Sequence, residues 1–184
     1  MFDKCLKGPW TTVGRDVQYK LIEEDDAVTL VFQCTASKQD WHDNFRVSPY
    51  KDMPSKWYAH KGFVTKWKSA RTAVFDSTLK LLDSRPLVIL GYSQGGALTI
   101  MAHEDFVFNH YDPIAFTWGA PKIVWCPNKT IKARFNGLTC FRNGGDLVTH
   151  LPPVWWGYRR VGKDIRLGPR RLLSAKWHRP EEYI

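Results

Sequence analysis

The sequence predicts an α/β fold with a mixed, mostly parallel sheet, flanking helices and an N-terminal hairpin. Three observations carry that expectation. Leu87-Val88-Ile89-Leu90 is an unbroken apolar run of the kind found in strands buried on both faces. Apolar residues recur at spacings of three, four and seven between positions 62 and 82. Strand-like and helix-like stretches then alternate along the chain, the order that builds parallel sheets covered by helices.

Taken in order, positions 16–22 and 27–32 are β-prone and are separated by Glu23-Glu24-Asp25-Asp26, which predicts a hairpin closed by an acidic turn. Phe63, Trp67, Ala70, Val74, Leu81 and Leu82 form one apolar stripe, with Lys66, Lys68, Arg71 and Lys80 between them, so an amphipathic helix follows. Arg85-Pro86 ends it, and the strand at 87–90 begins. Ala97, Leu98, Met101, Ala102 and Phe108 define a second helix, interrupted by Asn109, His110, Asp112 and Pro113. Short strands are expected at 114–118 and 138–142, each closed by Gly or Pro chemistry. Residues 158–161 and 164–167 flank Gly162-Lys163, which reads as a late hairpin.

The 184 residues, 43% hydrophobic with nine tryptophans, suffice for one domain spanning 1–184. No stretch is apolar enough for a transmembrane helix, and the N-terminus lacks the apolar region of a secretory signal, so the cytoplasm is the default expectation. Cys5, Cys34, Cys126 and Cys140 are spread without CxxC pairing, against a zinc ribbon or redox pair. Reduced thiols are the default, with two disulfides open if the protein is exported. The net charge of +9 points to an anionic partner. Its basic residues crowd the C-terminal third, with Trp155, Trp156 and Trp177, which predicts peripheral contact with an anionic membrane. A solvated basic face is the plainer reading, and no specific nucleic-acid binding is expected.

Gly91-Tyr92-Ser93-Gln94-Gly95 lies between the apolar strand and the second helix. Glycines two residues either side of a serine allow a strained strand-to-helix turn that lifts the hydroxyl clear of the sheet. The alternative is a Gly-rich connection whose serine merely caps the helix. A nucleophilic serine needs a histidine to accept its proton and a carboxylate to orient that histidine. Asp146, directly after a strand in a Gly-rich loop, is the best-placed acid. Glu104, Asp105 and Asp112 follow the serine too closely, and Asp164 falls in the expected hairpin. Two histidines lie beyond Asp146. His150 is only four residues away in the same loop, so His178 is favoured; an ordinary exposed residue is the alternative at both Asp146 and His178.

Five segments, in order, resemble the class 3 lipases, the fungal triacylglycerol-lipase type of α/β-hydrolase. Val31-Phe32-Gln33-Cys34-Thr35-Ala36-Ser37 with Asp40-Trp41 is similar to the family's FRGT/S stretch and the DW that follows. His60-Lys61-Gly62-Phe63 resembles HxGF, and Gly91-Tyr92-Ser93-Gln94-Gly95-Gly96-Ala97-Leu98 resembles GHSLGGAL. Thr117-Trp118-Gly119-Ala120-Pro121-Lys122 is similar to TFGxPR, and Asn143-Gly144-Gly145-Asp146-Leu147-Val148 with Leu151-Pro152-Pro153 is similar to NxxDxVxxLPP. The resemblance implies a serine hydrolase of lipid or other small esters with Ser93 as nucleophile, Asp146 as orienting acid and His178 as base. It further implies Thr35 and the amide of Gln94 as oxyanion donors, and neither metal nor cofactor. An inactive hydrolase fold that binds anionic membranes or partners is the alternative.

The chain departs from the family at Gln33-Cys34 in place of Arg-Gly, at Tyr92 in place of His and at Gln94 in place of Leu. The segment 36–45 stands where the family carries its lid, yet it is short and holds Lys38, Asp40, His42 and Asp43.

Overall fold

The computed structural model describes residues 1–34, 48–51 and 56–184. A 3-10 turn, Phe2–Cys5, leads to β1 (Thr11–Val13), β2 (Val17–Glu23) and β3 (Val28–Phe32). Next come β4 (Pro49–Tyr50), β5 (Tyr58–His60), helix α1 (Lys61–Leu82), β6 (Leu87–Tyr92) and helix α2 (Gln94–Phe108). β7 (Ile114–Trp118), β8 (Val124–Trp125), the short α3 (Lys129–Ala133) and β9 (Leu138–Asn143) follow. β10 (Tyr158–Arg159) and β11 (Lys163–Leu167) precede 3-10 turns at Ala175–Trp177 and Pro180–Tyr183.

Among the described residues, the main sheet has seven strands in the order β1-β2-β3-β6-β7-β9-β11. β1, β2 and β3 pair antiparallel, and every pairing from β3 to β11 is parallel. The expected N-terminal hairpin is β2–β3. Its acidic turn is pinned by Arg85, which donates to Glu23 Oε1 at 2.6 Å and to the Glu24 carbonyl at 2.9 Å.

Strand alternation divides the core into two layers. Leu30, Ile89, Ala115 and Leu138 face α1 and α2, packing with Trp67, Val74, Met101 and Phe106. Val31 and Leu90 face the other way, toward Phe2, Tyr92, Trp118 and Tyr183. The N-terminal turn and the last C-terminal turn therefore cover the face that the helices leave open.

Helix α2 is buried along 94–106, charges included. Asp105 accepts from Arg71 Nη2 at 2.9 Å and from Trp67 Nε1 at 2.9 Å, while Glu104 accepts from Arg134 at 2.8 Å and Trp57 Nε1 at 2.8 Å. Paired and hydrogen-bonded in this way, two carboxylates are tolerable in an apolar layer. Phe108 is 39% exposed, and the buried aromatic ring of that turn is Phe106.

The late hairpin is not formed. β10 joins a small antiparallel sheet, order β10-β8-β5-β4, whereas β11 extends the main sheet parallel to β9. Gly162, at φ +73°, turns the chain from one sheet to the other. Asp164 faces Arg142 at 2.9 Å across the β9–β11 pair and Arg160 at 3.3 Å, so it is an edge ion-pair residue rather than a hairpin tip. Among the described residues, no helix is long and apolar enough to cross a membrane.

Candidate active site

The parallel strands end together at one edge of the sheet, where Tyr92 of β6 pairs with Trp118 of β7. Functional groups collect beyond such carboxyl ends. Ser93 follows β6 directly, at φ +54°, a conformation that non-glycine residues adopt only under tight constraint. Its amide donates to the Trp118 carbonyl at 2.8 Å, and its own carbonyl accepts from Ala97 at 3.2 Å, the first bond of α2. The turn is thus held from both sides, as in a nucleophile elbow.

Asp146 lies in the loop after β9 and is fully buried. Its Oδ1 accepts from the Val148 amide at 2.8 Å. Its Oδ2 accepts from His178 Nδ1 at 2.7 Å and from the Tyr183 hydroxyl. A carboxylate can only accept, so the His178 proton is on Nδ1 and Nε2 is left as an acceptor. Ser93 Oγ lies 2.7 Å from that Nε2. The structure brings Ser93, His178 and Asp146 into one unbroken line, across 85 and 32 residues of separation. Such a line can draw the proton off Ser93 Oγ as the oxygen attacks and stabilise the imidazolium that results.

His150 is placed elsewhere. Its Nδ1 lies 2.9 Å from the Asp146 carbonyl, and its own carbonyl accepts from buried Lys122 at 2.5 Å. It braces the backbone of the acid's loop.

The segment carrying His178 is tied to the same loop. The Ser174 amide donates to the Gly145 carbonyl at 3.0 Å, and the Leu147 amide donates back to the Ser174 carbonyl at 3.4 Å. One 3-10 turn later, the His178 ring lies face to face with Tyr92, centroids 5.1 Å apart and planes 16° from parallel. Gly119 leaves the ring its seat: a Cβ there would stand 3.0 Å from His178 Cε1, at a φ of +61°. Tyr183 completes the support, accepting from the Asn143 amide at 3.1 Å while donating to Asp146. Burial, then the neighbouring Asp146 charge, raises its phenol well above the usual tyrosine range, so it stays a donor.

Gln94 is the first residue of α2, and its amide belongs to the set of helix N-terminal donors that favour negative charge. The sulfur of Cys34 is hydrogen-bonded to that amide and to the Ser93 side chain. The close approach comes from Gly95, where a Cβ would stand 2.4 Å from the Phe32 carbonyl oxygen at the end of β3. Burial raises the Cys34 thiol, and these two hydrogen bonds oppose the rise. Thr35, the other expected oxyanion donor, and the segment at 36–45 lie outside the described residues.

Reading the residues one at a time missed the working contacts of Tyr92, Cys34 and Tyr183. At the first two, the departures from the family pattern were the available signal; at Tyr183, it was position downstream of His178.

The model of the family described as Lipase (class 3) matches residues 29–156, a span that includes Ser93 and Asp146. A lipase of Rhizomucor miehei is 24% identical over 168 residues, 84% of this chain and 46% of that protein. The crystal structure of the Rhizomucor miehei triacylglyceride lipase superimposes with a TM-score of 0.71 at 20% identity, covering 86% of this chain and 64% of the other. Lip2 lipase from Yarrowia lipolytica gives 0.73 at 18% identity, covering 88% and 65%. The shared architecture is the α/β-hydrolase fold. The chain spans less than half the length of the curated relatives it matches.

Proposed function

Because the chain belongs to the class 3 lipase family, we propose that it is a serine carboxylic-ester hydrolase that cleaves lipid esters through an acyl-enzyme. The observation that carries this reading is the pair of 2.7 Å contacts joining Ser93 Oγ to His178 Nε2 and His178 Nδ1 to Asp146 Oδ2. Ser93 Oγ attacks the ester carbonyl as His178 takes its proton. His178 then gives that proton to the departing alcohol and later draws one from the water that releases the acid. Asp146 keeps the imidazole in the required tautomer, and Tyr183 keeps Asp146 in place.

In this reading the Gln94 amide holds the oxyanion, together with Thr35, whose role rests on the family resemblance. Losing one such donor typically costs about 3 kcal/mol of transition-state stabilisation. The substrates we propose are acyl esters of lipids, phospholipids among them, met at an anionic surface to which the basic C-terminal third is attracted.

Ser93→Ala is expected to abolish hydrolysis of short-chain p-nitrophenyl esters and labelling by a fluorophosphonate, with the thermal transition retained. Full activity in that variant would refute the mechanism. A folded wild-type protein that neither hydrolyses esters nor reacts with the probe would indicate a binding module on a hydrolase fold.

A further inference from the structure

The segment 170–179 combines features that the triad does not use. Leu172 is 91% exposed and Leu173 is 50% exposed, an unusual outlay of aliphatic surface on adjacent residues. Exposed Arg170, Arg171, Lys176 and Arg179 surround them in sequence. The nearest acids in sequence are Glu181 and Glu182, and Glu182 is engaged by Arg171 at 3.2 Å and by the Asn143 side chain at 3.1 Å.

The segment is also well tied down. Trp177 Nε1 donates to the Leu172 carbonyl at 3.2 Å, folding the leucine pair back over the turn. On one side Ser174 is bonded to the loop of Asp146, and on the other the chain runs directly into His178.

We propose that this segment is a docking surface for an anionic lipid interface, with Leu172 and Leu173 entering the acyl layer while Arg170, Arg171, Lys176 and Arg179 meet the headgroups. The inference rests on the reading of the site as a lipid-ester hydrolase. Charge alone would suit any polyanion, but a nucleic acid offers no apolar medium for two leucines. The segment's own aromatic ring, Trp177, is also taken. Arg171 lies 4.2 Å and the Lys176 ammonium 4.5 Å from the Trp177 ring centroid. A lipid surface satisfies both halves of the pattern, anionic outside and apolar within. Because Ser174, next to the anchors, is bonded to the loop of Asp146 and the segment runs into His178, docking would set the orientation of the site as well as its concentration at the interface.

The test is co-sedimentation of the full chain with phosphatidylglycerol–phosphatidylcholine vesicles and with phosphatidylcholine vesicles across a salt series. The wild type is expected to bind the anionic vesicles preferentially. The double variant Leu172→Ser, Leu173→Ser should lower partitioning by at least about tenfold at every salt concentration, since it removes apolar burial. Arg170→Gln with Lys176→Gln should weaken binding roughly fivefold per charge and flatten the salt dependence. Both variants should hydrolyse a short-chain p-nitrophenyl ester at the wild-type rate, which also reports their folding.

Unchanged binding of the leucine variant, or its equal displacement by a single-stranded oligonucleotide, would reduce the surface to a polyanion patch and overturn the inference. A wild type that cleaves the short ester but ignores vesicles would overturn it and leave the hydrolase reading standing. Vesicle binding without any ester cleavage would do the reverse.

Discussion

The phenol of Tyr92 stacks on the imidazole of His178, 5.1 Å between centroids and 16° from parallel. Tyr92 is itself buried among Phe2, Trp118 and Tyr183, so its face is presented to His178 by a packed wall.

An electron-rich ring face favours a cation placed over it. If His178 becomes an imidazolium during acylation, Tyr92→Leu should lower kcat roughly 2- to 30-fold while leaving KM largely unchanged. Tyr92→Phe keeps the face and removes a buried hydroxyl that has no hydrogen-bond partner among the described residues, so it should retain activity. Steady-state kinetics on a short-chain ester separate the two, and equal kcat values for wild type and the leucine variant would remove the ring from the mechanism.

Tyr183→Phe takes one donor from Asp146 and the acceptor from the Asn143 amide. A buried amide left without a partner costs about 1–3 kcal/mol, so a lower thermal midpoint is expected. A fall in kcat of roughly tenfold should accompany it, because the Asp146 carboxylate loses a charge-assisted bond. Denaturation and kinetics on the same preparation test both.

Cys34 shares the Gln94 amide with the proposed oxyanion. In a Cys126→Ser background, which removes the exposed thiol, methylthiolation of Cys34 by methyl methanethiosulfonate should block fluorophosphonate labelling of Ser93, and dithiothreitol should restore it. Burial raises this thiol, so its modification should accelerate as pH rises beyond the ordinary thiol range. Cys34→Gly should label at Ser93 with or without the reagent. Undiminished labelling after stoichiometric modification would show that the sulfur does not compete for that space.

Lys122 is 7% exposed and its pKa is lowered to about 8 from 10.5, first by burial and then by Arg160, Arg142 and Arg159. The folded state therefore releases this proton more readily than the unfolded chain does. Its destabilising contribution is fully present below pH 8 and is relieved as pH rises from 8 to 10.5. The stability difference between wild type and Lys122→Met should shift in favour of the wild type across that window. Urea unfolding at pH 7 and pH 10 measures it, and a pH-independent difference would contradict the burial of a charged amine.

Much of the architecture was legible because its elements are long or strongly patterned. α1 kept its apolar stripe, and the buried run of β6 fixed the middle of the sheet beside the hairpin of β2 and β3. The small sheet was not legible, since strands of two or three residues such as β4, β8 and β10 carry no periodicity. The late hairpin misled for a related reason: Gly162 marks a turn, but nothing local says which sheet each arm will join. Ser93 and Asp146 stand out from their neighbours on the chain. Choosing His178 over His150 depended on where a short tail segment lies, and that is set by its bonds to Gly145 and Asp146.

Among the described residues, two of the three groups that hydrogen-bond the Asp146 carboxylate are His178, at the end of one short 3-10 turn beyond the last strand, and Tyr183, within the next. With those turns undocked, the carboxylate would lose both side chains that hold it and keep one backbone amide. The acid is thus a latch, fastening the segment that brings its own partners. Release of that latch should require less of the molecule to open than melting the parallel strands does, so inactivation in mild denaturant should run ahead of unfolding of the sheet.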